Sequence, residues 1–161
     1  MTGTTHPGQD ANEGPGGVLR AELPADLTSA RQARSAVRRA LAAWGIDDPD
    51  GDAELLASEL VANAAEHANG PIGLALRRHA QPGGRRGFTC EVTDTSPGLP
   101  SPGQARPDDE RGRGLAIVTA LAAASGVHAG PAGKTTWFTL ALRDRIDRAV
   151  PPAQAEAEAG A

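Results

Sequence analysis

The chain has 161 residues, enough for one domain. Its 16 Lys and Arg against 20 Asp and Glu give a net charge of −4, which excludes the basic footprint of a nucleic-acid binder. Its single cysteine rules out a disulfide framework within the chain and fits a reducing cytoplasm, and no apolar run approaches the roughly 20 residues of a membrane span.

Residues 1–17 are rich in Gly, Thr, Pro and polar side chains and read as a disordered lead-in. They lack the basic start and apolar run of a signal peptide, so a cytoplasmic location is expected. Val18 to Leu23 alternates weakly and predicts a short strand, cut off by Pro24. Thr28 or Ser29 can cap the first helix and Gly45 can end it. Between them Ala30, Ala33, Val37, Leu41 and Trp44 recur at helical spacing. Arg31, Arg34, Arg38 and Arg39 give this helix a basic side, either simply solvated or a docking face for an acidic partner. Aromatic residues are 2% of the chain, so the core is expected to rest on Leu, Val, Ile and Ala.

Ile46 to Gly51 reads as a turn, and the second helix runs from near Asp52 to the stop at Asn69-Gly70-Pro71. Glu59, Asn63 and His67 fall at i, i+4 and i+8 and form one polar stripe, opposite Leu56, Leu60 and Ala64. By itself the stripe is either a solvated face or a functional one. Ile72 to Arg78 alternates as a strand with one buried face. A hairpin-type loop at 81–87 leads to a second strand from Phe88 to Asp94, with Phe88, Cys90 and Val92 on one side. Cys90 reads as a small buried hydrophobe. The loop from Thr95 to Gly112 is long for a compact domain and reads as a lid, a binding loop or disorder. A third helix opens at Gly112-Arg113-Gly114 with Leu115, Val118 and Leu121 or Ala122 on one face, and Gly126 is expected to end it. Val127 to Ala129 predicts a short strand, 130–133 a turn, and Lys134 to Leu142 a clearly alternating strand. Residues 144–161 decay into charge, Pro and Ala and read as a frayed tail, which leaves a domain of residues 18–143.

Two phosphate-binding patterns are nearly present, and both fail. Gly133-Lys134-Thr135 ends like a P-loop, but His128 stands where its first glycine belongs and a β-patterned run follows instead of a helix. Gly112 and Gly114 could open a dinucleotide fingerprint, but Ile117 occupies the third glycine position. What survives is a glycine pair at a helix start, whose free N–H groups and dipole favour phosphate, flanked by Arg111 and Arg113. Three segments then offer complementary chemistry. The second helix offers Glu59 and Asn63, and a strand end offers Asp94 before the Pro97-Gly98 turn. One carboxylate can accept a hydrogen bond from an exocyclic amine such as that of adenine, a second can orient or deprotonate a nucleophile, and a carboxamide oxygen suits Mg²⁺. The lid ends in the phosphate-binding helix start.

Glu-x-x-x-Asn on a helix, Asp-x-x-x-Gly after a strand, Gly-x-Gly-Leu opening a helix and a Gly-Lys-Thr-Thr strand entry occur here in that order. In this the chain resembles the GHKL ATPase superfamily over roughly residues 18–143. With Asn-Ala-x-x-His-Ala at 63–68 it looks like the anti-sigma-factor serine kinases of the RsbW and SpoIIAB type. The resemblance implies a two-layer α/β sandwich, its mixed, mostly antiparallel sheet covered by helices on one face. It implies ATP and Mg²⁺, with Asn63 as the metal ligand and Glu59 as the general base toward a serine hydroxyl or water. Asp94 would bind the adenine amino group, and Gly98 would let the backbone approach the base. Gly112, Gly114 and Leu115 would cradle the phosphates, while His67 would hold the helix.

Two positions depart from the family pattern. Ser96 replaces a glycine of the first box, and Lys134 stands where the last box has Thr, with Thr136 on the same side of that strand. The partners implied are a sigma factor and a STAS-domain anti-anti-sigma protein, with a homodimer common among such relatives and no direct contact with nucleic acid or membrane. Two other readings stay open: a non-catalytic ATP-binding switch, and a detached histidine-kinase-type ATPase domain. A complete histidine kinase is excluded, because none of His6, His67, His79 and His128 lies on the first helix.

Overall fold

The computed structural model describes residues 12–14, 17–80, 83, 85–96, 110–131 and 133–144. Its elements are β1 (Asn12–Gly14), β2 (Val18–Leu23), α1 (Ser29–Trp44), β3 (Ile46–Asp47), α2 (Asp52–His67), β4 (Ile72–Ala80), β5 (Arg86–Asp94), α3 (Glu110–Leu121), β6 (Ala124–Gly130) and β7 (Gly133–Asp144). The strands form one curled sheet in the order β1-β2-β4-β5-β7-β3, with β6 also paired to β7. Every pairing among the described residues is antiparallel. The parallel component allowed by a mixed sheet is therefore absent from them.

The helices cover one face of this sheet. Leu19 and Leu23 of β2, Ile72, Leu74 and Leu76 of β4, and Phe88, Cys90 and Val92 of β5 point to that face and are buried. On β7 the set Phe138, Leu140 and Leu142 does the same. Against them α1 buries Ala33, Ala36, Val37, Ala40 and Leu41, and α2 buries Leu56, Leu60, Val61 and Ala64. The small residues of α1 and α2 let the two helices lie close on the sheet. The few rings concentrate at the centre. Phe88 is fully buried between Trp44 and Phe138, with ring centroids 6.4 and 6.1 Å away. Burial pushes the Cys90 thiol up, so it stays protonated and inert, as a small core side chain.

Caps differ from the expectation in an instructive way. Thr28 has helical dihedrals and its side chain caps nothing. Instead Asp26 Oδ1 accepts from the Thr28 N–H at 2.8 Å and from Thr28 Oγ1 at 2.6 Å, and Ser29 Oγ donates to the Asp26 carbonyl. Gly45 ends α1 in the left-handed region, as its position predicts. At the start of α2, Gly51 is also left-handed, and Asp48 Oδ2 accepts from the Ala53 N–H at 3.0 Å.

Burial raises the Asp48 carboxyl above its ordinary value, more than the opposing hydrogen bonds from the start of α2 lower it. A raised acid binds its proton more tightly in the folded state. Its contribution to stability is therefore present below the unfolded pKa and is lost as pH rises through the folded one. Asp48→Asn keeps an acceptor for Ala53 and removes the buried charge, so it is expected to leave stability at neutral pH unchanged or higher. Asp48→Ala loses the acceptor and is expected to cost about 0.5–1 kcal/mol in urea denaturation.

Three boundaries shift from those the sequence predicts. Asn12–Gly14 pairs with β2 inside the stretch read as a disordered lead-in. The turn after α1 contains β3, whose Ile46 is buried and pairs with Asp144. The third helix begins at Glu110 and ends at Leu121, and Gly126 lies within β6 instead of ending the helix. A methyl group at Gly126 would stand 2.9 Å from Trp137 Cζ2 across the sheet, so this glycine makes room for a ring.

Candidate functional site

The Glu59 end of the polar stripe of α2 lies against α3 at Gly114. Glu59 and Asn63 are half-buried, one helical turn apart, while His67 is exposed at the helix end. The α3 backbone comes so close that a methyl group at Gly114 would stand 2.6 Å from Glu59 Oε2. Glycine at 114, one turn into α3, lets the helix lie against the carboxylate without the Glu59 side chain having to turn aside. Among the described residues, Glu59 and Asn63 have no hydrogen-bond or ion-pair partner. Both are thus free polar groups, one a proton acceptor and one an oxygen ligand, and Glu59 lies beside the second turn of α3. Leu115 is half-buried and packs on the core, anchoring α3.

The second cluster lies where β5 ends and β7 begins. Asp94, Ser96, Lys134 and Thr136 are the buried polar residues there, with Asp94 only 2% exposed. Asp94 is opposite Lys134 in the register, and Thr136 is opposite Val92. Asp94 Oδ1 accepts from the Ser96 N–H at 2.9 Å and from the Ser96 hydroxyl. Asp94 Oδ2 has no hydrogen bond among the described residues. The serine that replaces the family glycine therefore orients the aspartate and leaves one oxygen for something else. The β7 backbone presses on the same corner. Gly133 has φ 151°, and a methyl group there would overlap the Asp94 carbonyl oxygen and lie 2.9 Å from its carbon.

α2 links the two clusters. Just past its C-terminal end, a methyl group at Gly70 would lie 3.9 Å from Thr95 Oγ1, beside the Asp94 corner. Glu59, two turns before that end, lies at Gly114. From Glu59 to His67 the helix rises about 12 Å. An elongated molecule with a hydrogen-bonding ring at one end and anionic groups at the other matches this layout.

Of the other residues singled out from the sequence, Arg111, Gly112 and Arg113 lie in the first turn of α3. Gly98 lies outside the described residues, with most of the lid. Two clefts of about 480 and 500 Å³ occur elsewhere, one beside Asp47 to Asp52 and one on the open sheet face around Arg20 and Glu91. Neither is lined by Glu59, Asn63, Asp94, Lys134 or Thr136. The site is placed at the two clusters and not at these clefts, because Glu59, Asn63 and Asp94 Oδ2 are polar groups without a partner among the described residues.

Three residues of this corner have roles that their sequence positions only partly announce. Asp94-Thr95-Ser96 is a sequence that favours an Asx turn, which was the available signal for Ser96. Alternation put Lys134 on the buried face with Phe138. Nothing local marks Gly133 as a close-approach glycine, since Asp94 is distant in sequence.

Residues 23–140 match the family model of the histidine kinase-like ATPase domain. That span covers most of the chain, and the chain belongs to this family, of GHKL type. It is an ATP-binding domain of the ATPase kind. No curated protein matches it. Among the described residues, no helix is long and apolar enough to cross a membrane.

The residues present fit the nucleotide such a domain takes. Gly114 and Gly133 are glycines at close approaches, Asp94 keeps one free carboxylate oxygen, and Asn63 keeps a free carboxamide. No group of three acidic, His or Cys side chains placed to hold a metal ion occurs among the described residues. A Mg²⁺ bound through Asn63 and phosphate oxygens needs none.

Proposed function

We propose that the protein is an ATP-dependent protein serine/threonine kinase of the anti-sigma-factor type, which phosphorylates a STAS-domain anti-anti-sigma protein and sequesters a sigma factor. The observation that carries the reading is the Glu59 carboxylate, half-buried against Gly114 of α3 and without a partner among the described residues. A carboxylate so placed can take the proton of an incoming hydroxyl beside the anionic end of the bound nucleotide. Asn63, one turn on, would hold Mg²⁺, which supplies charge neutralisation to the phosphates. Asp94, oriented by Ser96, would accept a hydrogen bond from the adenine amino group. The α3 N-terminus from Glu110, with Arg111 and Arg113, would bind phosphate through backbone N–H groups and the helix dipole.

The partners are drawn from the subfamily resemblance at residues 63–68. The exposed basic side of α1 suits an acidic surface on either. Of Arg31, Arg34, Arg38 and Arg39, only Arg38 is engaged among the described residues, in a 2.9 Å ion pair with Glu54. The test is incubation with γ-labelled ATP and a panel of STAS-domain proteins. Label on a serine or threonine of one of them is the expected result. ATP binding with no transfer to any of them would favour a non-catalytic switch.

A further inference from the structure

Lys134 is a largely buried lysine that forms no ion pair among the described residues. It is only 7% exposed, on the helix-facing side of β7, with Thr136 and Phe138 on the same side of the strand. It stands opposite Asp94 in the register, yet the two form no ion pair. Among the described residues, it has no hydrogen bond either. Its stem is buried while its ammonium reaches solvent, since among the described residues no buried side-chain nitrogen or oxygen lacks a hydrogen-bond partner. Directly opposed cross-strand residues have Cβ atoms about 5 Å apart. The stem of Lys134 therefore begins beside Asp94, whose Oδ1 is committed to Ser96 and whose Oδ2 is unbonded among the described residues.

We infer that Lys134 reads the nucleotide base together with Asp94, donating to a ring nitrogen next to the exocyclic amine that Asp94 accepts from. This rests on the nucleotide-binding reading and sharpens its specificity. A carboxylate acceptor and an ammonium donor side by side match the edge of adenine, where the 6-amino group is flanked by N1 and N7, both acceptors. The ammonium then exchanges solvent for a ring nitrogen when the base is bound. A threonine hydroxyl at this position could act as donor or acceptor, whereas an ammonium only donates. The lysine therefore rejects a base that presents an N–H at that point.

The experiment uses the whole chain and three nucleotides with Mg²⁺: ATP, 1-deaza-ATP and 7-deaza-ATP, titrated into wild type and Lys134→Met. Wild type is expected to bind one of the two deaza analogues at least about tenfold more weakly than ATP, as for loss of a charge-assisted hydrogen bond. Lys134→Met is expected to bind ATP at least about tenfold more weakly and to lose that distinction. Its melting temperature without nucleotide is expected to stay close to that of wild type, because Lys134 makes no hydrogen bond or ion pair among the described residues. The inference is overturned if wild type binds both analogues as it binds ATP, or if Lys134→Met keeps the wild-type discrimination. An equal loss toward all three nucleotides with a lowered melting temperature would make Lys134 structural, and also overturns it. Wild type that binds none of the three overturns the nucleotide reading itself, a result distinct from ATP binding with unaltered discrimination.

Discussion

Glu59→Gln is expected to slow phosphotransfer to the protein substrate by a factor of about 10²–10⁴ while leaving Mg²⁺–ATP binding little changed. The substitution keeps the shape of the side chain and removes its capacity to take a proton at neutral pH. Nothing in the fold depends on the charge, since Glu59 has no hydrogen-bond or ion-pair partner among the described residues. Its stability effect should therefore stay within about 0.5 kcal/mol. The close approach at Gly114 is also preserved, because a glutamine amide occupies the same space as the carboxylate. Single-turnover transfer with saturating ATP, alongside a binding titration, separates the two effects. Undiminished transfer would place the proton acceptor elsewhere. A parallel loss of ATP affinity would make Glu59 a binding group.

Gly133→Ala is expected to destabilise the protein by about 2–4 kcal/mol, measured by urea denaturation. Two causes add. At φ 151° the backbone is in a region that side-chain-bearing residues rarely adopt, worth about 1–3 kcal/mol. The new methyl group would also overlap the Asp94 carbonyl oxygen, so β7 or the end of β5 must move. The clash is with backbone on a paired strand, which has little room to relax. Displacing the end of β5 moves Asp94, so nucleotide affinity should fall as well. A variant as stable as wild type would show that the β5 end yields easily, and that Asp94 is not held as tightly as its surroundings suggest.

The part of the site legible in the sequence is the part governed by a period. Helical spacing put Glu59 and Asn63 on one face of α2, and strand alternation put Asp94, Lys134 and Thr136 on the helix-facing side of the sheet. Helix-stop glycine chemistry marked the end of α1 correctly at Gly45. The same rule failed at Gly126, because that glycine answers to Trp137 on a neighbouring strand and not to the local backbone. β6 was hard to see for a related reason. Most of its residues are exposed, so it has no alternation to read. β3 is only 2 residues long and exists because Ile46 is buried beside the end of β7. Ser96 looked like a loss against the family pattern, but it donates twice to Asp94 Oδ1, a contact that only the three-dimensional turn reveals. Likewise, Gly114 was read as a phosphate-cradling residue, while its closeness to Glu59 is a long-range fact.

The central claim is that the Asp94 corner and the Glu59–Asn63 stripe form one nucleotide site along α2. Calorimetric titration of Mg²⁺–ATP into wild type and Asp94→Asn tests it most directly. The amide oxygen of asparagine can still accept from Ser96, while its NH₂ replaces the free oxygen with a donor that faces the adenine amine. The account predicts saturable one-to-one binding by wild type and a loss of at least about tenfold in Asp94→Asn, with the fold intact. Equal affinities for the two proteins, or no binding by wild type at millimolar nucleotide, would contradict it.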